Sequence, residues 1–242
     1  MKFSVIIPTL NEAKLLPNLL SLLNDIKLRE EIEFDIIISD GGSRDRTIEI
    51  ALDKAETVIT HTNRQKQNIA RGRNCGANLA NGSIFIFINA DVRITDLKSF
   101  FTNIENIFND KEYLAMTFRV RVFPENETIS DKFFHFIYNE YFHFLNLVGL
   151  GMGRGECQVV RKEIYERLGG YDESLAAGED FDFFRRIRKL GKIFFSTKMC
   201  VYESPRRFRM YGYLRVTVSW IKNGISVWLR KKSISATWEE VR

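Results

Sequence analysis

The sequence predicts an α/β fold: a mostly parallel central sheet with helices on both faces, plus a C-terminal helical extension. Three observations predict it. Short β-branched runs alternate with helix-spaced apolar residues over about the first hundred positions. Polar turn signatures follow three of those runs. A basic segment with an apolar stripe lies beyond residue 204.

"FSVIIP" (3–8) and "FDIIIS" (34–39) are bounded by turn chemistry and read as strands; "TVITH" (57–61) is a weaker third. Between the first two, Leu15, Leu16, Leu19, Leu20, Leu22, Leu23 and Ile26 recur at the spacing of one helix. Ile48, Ala51, Leu52 and Ala55 mark a second. "QNIARGRNCGANLANG" (67–82) reads as a small-residue helix stopped by Gly82, and "IFIFINAD" (84–91) as the fourth strand. Further on, "LAMTFRVRVF" (114–123) alternates like a half-exposed strand. The aromatic stretch 129–153 is helical until its glycines, with His135 and His143 read as structural. "ECQVVRKEIYERLGGYDE" (156–173) suggests a strand, a short helix and a turn. "EDFDFFRRIRKLG" (179–191) has acids in its first turn and bases in its last, which suits the helix macrodipole, and the strand "KIFFST" (192–197) follows. One domain over 1–204 is expected, in two halves that divide at about residue 95, with an extension over 205–242.

Composition narrows the function classes. Hydrophobic residues make up 45% and charged residues 28%, the balance of a folded chain rather than a disordered one. Cys75, Cys157 and Cys200 lie far apart with no CxxC spacing, which argues against a disulfide framework or structural zinc. With no signal-peptide pattern and no long apolar run, a cytoplasmic protein is expected. The formal charge is +5, with "RRIRK", "SPRRFR" and "LRKK" all beyond residue 184, a distribution suited to phosphates, nucleic acid or lipid headgroups.

Ligands of open α/β sheets bind beyond the carboxyl ends of the strands. "PTLNE", "SDGGS" and "NAD" fall there. Each alone is ordinary loop chemistry, and Asp40-Gly41-Gly42-Ser43 is a good turn in its own right. Three on one edge point to a site. Asn89 and Asp91 offer oxygen ligands for a hard cation, Mg2+ or Mn2+, of the kind that bridges to substrate phosphates. Positions i and i+2 of a strand share a face, so both side chains are expected at one ion. Arg71 and Arg73 either meet a diphosphate or sit on the surface.

The ordered set "VIIPTLNEA", "IISDGGSRDRT", "ANLANGSIFIFINADV" and "GGYDESLAAGEDFDFFRRIRKLGK", spanning about Phe3 to Lys192, resembles the family-two glycosyltransferases with the GT-A fold. That family's fourth strand ends in a DxD-type motif for the metal and the donor diphosphate. Asn89 stands at its first aspartate, which removes a charge and leaves Asp91 as the principal ligand. The resemblance further implies that Pro8, Thr9, Asn11 and Glu12 line the nucleotide pocket and that Asp40 accepts a hydrogen bond from the base. Arg71 would lie near the nucleotide, and Asp180 would be the catalytic base. Glu179 would orient the acceptor, while Arg206 or Arg207 would reach the diphosphate from the acceptor side. An inverting transfer from a nucleotide-diphosphate sugar to an acceptor hydroxyl follows. The alternatives are a sugar-nucleotide-binding scaffold without turnover, suggested by Asn89, and a nucleotidyltransferase, which the glycine-free "TLNEAKL" disfavours.

In the extension, Tyr211, Leu214, Val218, Ile221, Ile225 and Trp228 form one apolar seam on a helix. The seam either packs against the catalytic domain or a sister subunit, leaving a homodimer open, or lies at an anionic membrane surface beside Arg215, Lys222, Arg230, Lys231 and Lys232. The second reading expects a peripheral protein at the inner face of the membrane, a lipid-linked or membrane-proximal acceptor, and no nucleic acid as partner.

Overall fold

The computed structural model describes residues 2–61 and 67–235. Its eight-stranded sheet contains β1 (Phe3–Thr9), β2 (Phe34–Asp40), β3 (Thr57–Thr60), β4 (Ile84–Ile88), β5 (Val92–Arg93), β6 (Tyr113–Val122), β7 (Cys157–Arg161) and β8 (Lys192–Glu203), ordered β3-β2-β1-β4-β7-β6-β8-β5. Strands β3, β2, β1 and β4 run parallel, as expected. β7 is antiparallel to both β4 and β6, and β5 to β8, so the sheet as a whole is mixed.

β4 shows why these sequences make two-sided strands. Ile84, Ile86 and Ile88 point into one apolar layer, with Leu16, Leu19 and Leu20 of α1 (Leu16–Leu23) and Phe100, Phe101 and Ile104 of α5 (Leu97–Asn109). Phe85 and Phe87 point into the opposite layer. There they meet α4 (Ile69–Ala77), α7 (Lys162–Leu168) and α8 (Glu179–Arg188) through Ala70, Tyr165 and Phe183. Each such buried side chain contributes about 1.5–3 kcal/mol by leaving water. β6, read as half-exposed, is buried along most of its length because helices cover both of its faces.

Two helix boundaries differ from the periodic pattern. The leucine-rich helix breaks into α1 and α2 (Ile26–Glu31), since Asn24 donates to the Leu20 carbonyl and to that of Lys54 at the end of α3 (Thr47–Lys54), and Asp25 caps the second helix. α4 ends at Ala77, well before Gly82. Gly82 is required for another reason: a Cβ there would lie 2.5 Å from the Phe3 carbonyl carbon and 2.6 Å from the Ser4 nitrogen. Gly82→Ala is therefore expected to destabilise the chain by about 1–3 kcal/mol, measured by urea unfolding, because the clash is with backbone that cannot turn aside.

α6 (Ile129–Leu147) opens with a reciprocal Thr128–Asp131 capping box. Asp131 also accepts from Arg209 of α9 (Arg206–Tyr211), at 2.9 Å, and from Tyr213 at the start of α10 (Tyr213–Arg230). α6, α9 and α10 share an aromatic cluster of Phe134, Tyr138, Phe208 and Trp220. α10 turns Val216, Asn223 and Val227 inwards. Of the expected seam, Tyr211 packs against this aromatic cluster and the Trp228 ring meets Arg185 of α8 on one side, while Leu214, Val218, Ile221, Ile225 and most of Trp228 are exposed. Residues 236–242 of the expected extension lie outside the described residues. His135 is buried as a neutral ring, its pKa pushed down to about 3 by burial and by Arg154, and His143 stacks on Phe195.

Candidate active site

A cleft of about 250 Å3 lies beyond the carboxyl ends of β1 and β4. It is lined by Pro8 and Glu12, by Asn89 and Asp91, by Glu179 and Asp180, and by Arg206 and Arg207. Residues from four separate stretches of the sequence thus meet at one place.

The strand-end pair is parted by the turn that follows β4. The Val92 amide donates to the Asn89 carbonyl at 3.2 Å, so positions 89 and 91 no longer share a strand face. Asn89 turns its Oδ1 inwards, where Arg73 Nη2 donates to it at 3.3 Å. Asp91 faces outwards, and its Oδ2 accepts from Arg206 Nη2 at 3.1 Å. The same Nη2 donates to both Glu12 oxygens, at 3.1 and 3.0 Å. Arg206 therefore sits against the acids that follow β1 and β4. β8 places it there: Val92 pairs with Glu203, and the Ser204 amide donates to the Asp91 carbonyl at 3.2 Å.

Two carboxylates already converging on one cationic centre make a donor set that fits a divalent ion. Mg2+ and Mn2+ accept one or two carboxylates and fill the remaining positions from phosphate and water. Asp91 and Glu12 are the residues that would hold it. Asn89, engaged by Arg73, would be the weaker ligand. Among the described residues no group of three or more acidic, His or Cys side chains forms a cage.

Asp180 and Glu179 sit in the first turn of α8, after Gly178 in a left-handed conformation. Burial, reinforced by the charge of Glu179 and opposed by Arg73, pushes the Asp180 carboxyl up to about 8. Glu179 is 5% exposed and accepts from Arg73 Nη1 at 2.9 Å, which ties its carboxylate to that guanidinium. Arg73 is itself 1% exposed. Its Nη2 also donates to the Gly155 carbonyl at 2.7 Å, which makes one guanidinium the link between Asn89 and the acidic turn. Gly155 leaves room for this. A Cβ there would lie 3.0 Å from Asp180 Oδ2 and 3.1 Å from Arg73 Nη2. Asp182 bonds Arg186 at 2.7 Å along its own helix, the helix-terminal role expected of it.

Other expected residues stand behind the cleft wall. Asp40 is fully buried: Oδ1 accepts from the Gly42 and Ser43 amides, and Oδ2 from the Thr9 and Ser43 hydroxyls. Contact with a base would require some of these bonds to open. Asn11, at φ 53°, accepts from the Arg44 amide at 2.6 Å and braces the same loop. Arg71 pairs with Glu173 at 2.9 Å.

The sequence reading missed a second buried charge cluster in the cleft floor. Arg154 donates to Glu156 at 2.9 Å and to Glu203 at 2.8 Å. Burial and the neighbouring Glu156 push Glu203 well above the ordinary carboxylate range; Glu156 is held low by Arg154 against its own burial. The available signal was "GRGE", two opposite charges interleaved with glycines just ahead of a buried strand.

The model of Glycosyl transferase family 2 matches residues 4–169, more than half of the chain. The chain belongs to glycosyl transferase family 2. Among this family member's relatives, a PGL/p-HBAD biosynthesis glycosyltransferase of Mycobacterium bovis is 37% identical over 93 residues, 37% of this chain and 35% of that protein. A 4,4'-diaponeurosporenoate glycosyltransferase of Staphylococcus haemolyticus is 38% identical over 97 residues, 38% of this chain and 25% of that protein. The aligned parts thus span about a third or less of these relatives. The fold matches a mannosyltransferase of Pyrobaculum calidifontis solved with GDP-Man and Mn2+, with TM-score 0.66 and 20% identity over 92% of this chain and 64% of that one. It also matches glucosyl-3-phosphoglycerate synthase of Mycobacterium tuberculosis, solved with Mn2+ and UDP, with TM-score 0.62 and 15% identity over 94% and 78% of the two chains. The family-two chain therefore has the GT-A fold.

Proposed function

We propose that this family-two chain is an inverting, metal-dependent glycosyltransferase moving a sugar from a nucleotide-diphosphate sugar to an acceptor hydroxyl. The acceptor is lipid-linked or presented at a membrane, with the protein peripheral at the inner face. One observation carries the transfer reading: Asp180, with its raised pKa, shares a single cleft with Asp91 and Glu12. The names of the relatives, and the nucleotide and Mn2+ in similar structures, support it.

In the proposed reaction, the acceptor oxygen bonds to the anomeric carbon as the bond from that carbon to the diphosphate oxygen breaks. The acceptor proton passes to the Asp180 carboxylate, and the nucleoside diphosphate departs. A divalent ion at Asp91 and Glu12 would supply charge neutralisation on the departing diphosphate. Arg206, leaving the carboxylates for the phosphates, would add a second positive group. A single displacement inverts the anomeric configuration. Arg207 also lines the cleft, and in this reading it would serve the acceptor side.

A panel of nucleotide sugars, scored by thermal shift with and without Mn2+, tests this reading. The cognate donor at a hundred times its Kd should raise Tm by about 5–10 °C, and Asp91→Ala should erase the metal-dependent part. Donor binding without hydrolysis or transfer to any acceptor would instead identify a scaffold. No response to any nucleotide sugar would refute both.

A further inference from the structure

Of the twenty-two large hydrophobic side chains exposed among the described residues, seventeen lie in residues 129–150 and 210–234. On α6, Phe133, Phe136, Ile137, Phe144 and Leu147 are between 46% and 71% exposed. On α10, Leu214, Ile221, Ile225, Trp228 and Leu229 are between 53% and 79% exposed. Scattered exposed hydrophobics need no explanation, but a concentration on two neighbouring helices does. The two helices are packed together, with Tyr138 against Trp220 at 5.4 Å.

We infer that the outward faces of α6 and α10 form a docking surface for an anionic lipid bilayer. The inference deepens the proposed function and rests on its assignment of the cleft as the place of transfer. Three features choose the bilayer. First, α10 contains no acidic residue, while Arg215, Lys222 and Arg230 on it, and Lys231 and Lys232 just after it, are exposed. An amphipathic helix with aromatic and aliphatic residues on one side and cations beside them has the chemistry of an interfacial helix. Second, these cations oppose a two-fold dimer through this face, because an isologous contact brings the same patch of each copy together, like charges included. Third, no described helix is long and apolar enough to cross a membrane, so the exposed face is suited to lying on a bilayer and not to spanning it.

The same helices connect this surface to the cleft. Phe142 of α6 and Ser219, Trp220 and Asn223 of α10 line the cleft from inside. The inward stripe of α10 is offset by two residues from its outward stripe, about 200° around the helix. Lipid contact on one side and the acceptor approach on the other thus belong to one element. An acceptor whose hydroxyl is carried at the bilayer surface would reach Asp180 along it.

Co-sedimentation of the full chain with phosphatidylglycerol-containing and pure phosphatidylcholine vesicles, at low salt and without donor, tests the surface separately from catalysis. Expected is pelleting with anionic vesicles, weakened about tenfold or more by Phe136→Asp with Ile221→Asp, and likewise by Lys222→Glu with Lys232→Glu. These positions are exposed, so unchanged melting curves would show that the fold survives. Absence of pelleting, or pelleting indifferent to these substitutions, overturns the inference. So does a dimer in light scattering that Ile221→Asp dissolves without any vesicle binding, since the face would then be a subunit contact. A failed donor panel beside positive vesicle binding would count against the proposed transfer and leave the surface standing.

Discussion

Asp180→Asn is expected to stop sugar transfer while leaving the donor thermal shift in place. The substitution keeps the size and polarity of the side chain but removes its capacity to take the acceptor proton. Loss of a positioned general base costs about 10²–10⁴ in kcat. A variant that transfers at the wild-type rate would remove Asp180 from the mechanism. The elevated pKa sets the pH dependence of the wild type. The base works only when deprotonated, so kcat/KM of the free enzyme should climb with pH until about 8 and then level off. Asp180→Asn should abolish this titration together with the activity.

Stability should move in the opposite direction. Folding raises the Asp180 pKa above the ordinary value of 3.8, so the folded state holds its proton more tightly than the unfolded chain. The associated stability is fully present below the unfolded pKa and is lost as pH rises through the folded one. At pH 9 the wild type therefore holds a half-buried carboxylate beside Glu179, whereas Asp180→Asn does not. Tm of the variant at pH 9 should exceed that of the wild type by about 2–4 °C for each kcal/mol recovered. At pH 4 the two should converge. A functional group held at a cost to the fold is the usual trade between activity and stability.

The parts of this molecule most legible in its sequence are those governed by burial on two faces. β1, β2 and β4 are runs of Ile, Val and Phe because both sides of each strand are covered, and such runs need no partner to be recognised. Asp91 and Glu12 stood out because polar groups follow apolar runs at the strand ends, Asp180 only through the family resemblance, and one cleft gathers all three. What stayed hidden depends on contacts between distant residues. The break between α1 and α2 rests on Asn24 reaching Lys54, thirty positions away. The burial of Arg73 rests on Glu179 and Gly155, supplied by segments that no local pattern relates to α4. The stripe on α10 was visible as a period, but periodicity reports that a face is apolar and not what covers it.

Arg73→Met should be among the most disruptive single substitutions in the chain. The guanidinium is enclosed, and it is the buried partner of Glu179. Its removal strands a carboxylate with nothing to neutralise it, a loss of about 3–5 kcal/mol for a buried pair broken on one side. For a chain of this size that is a fall in Tm of about 6–20 °C. Arg73→Lys should recover only part of it, since one ammonium cannot reach Glu179, the Gly155 carbonyl and Asn89 with the geometry of a planar fork. The double variant Arg73→Met with Glu179→Gln separates charge from architecture. With no charge left to strand, it should regain much of the lost stability, a positive coupling readable in a double-mutant cycle. It should not regain transfer, because Asn89 would have lost the donor that holds it and the strand-end turn its link to the acidic helix. Equal stability of the single and double variants would mean that Glu179 finds water or another cation when Arg73 is gone, and the buried pair would then not be what joins the strand-end turn to the acidic helix.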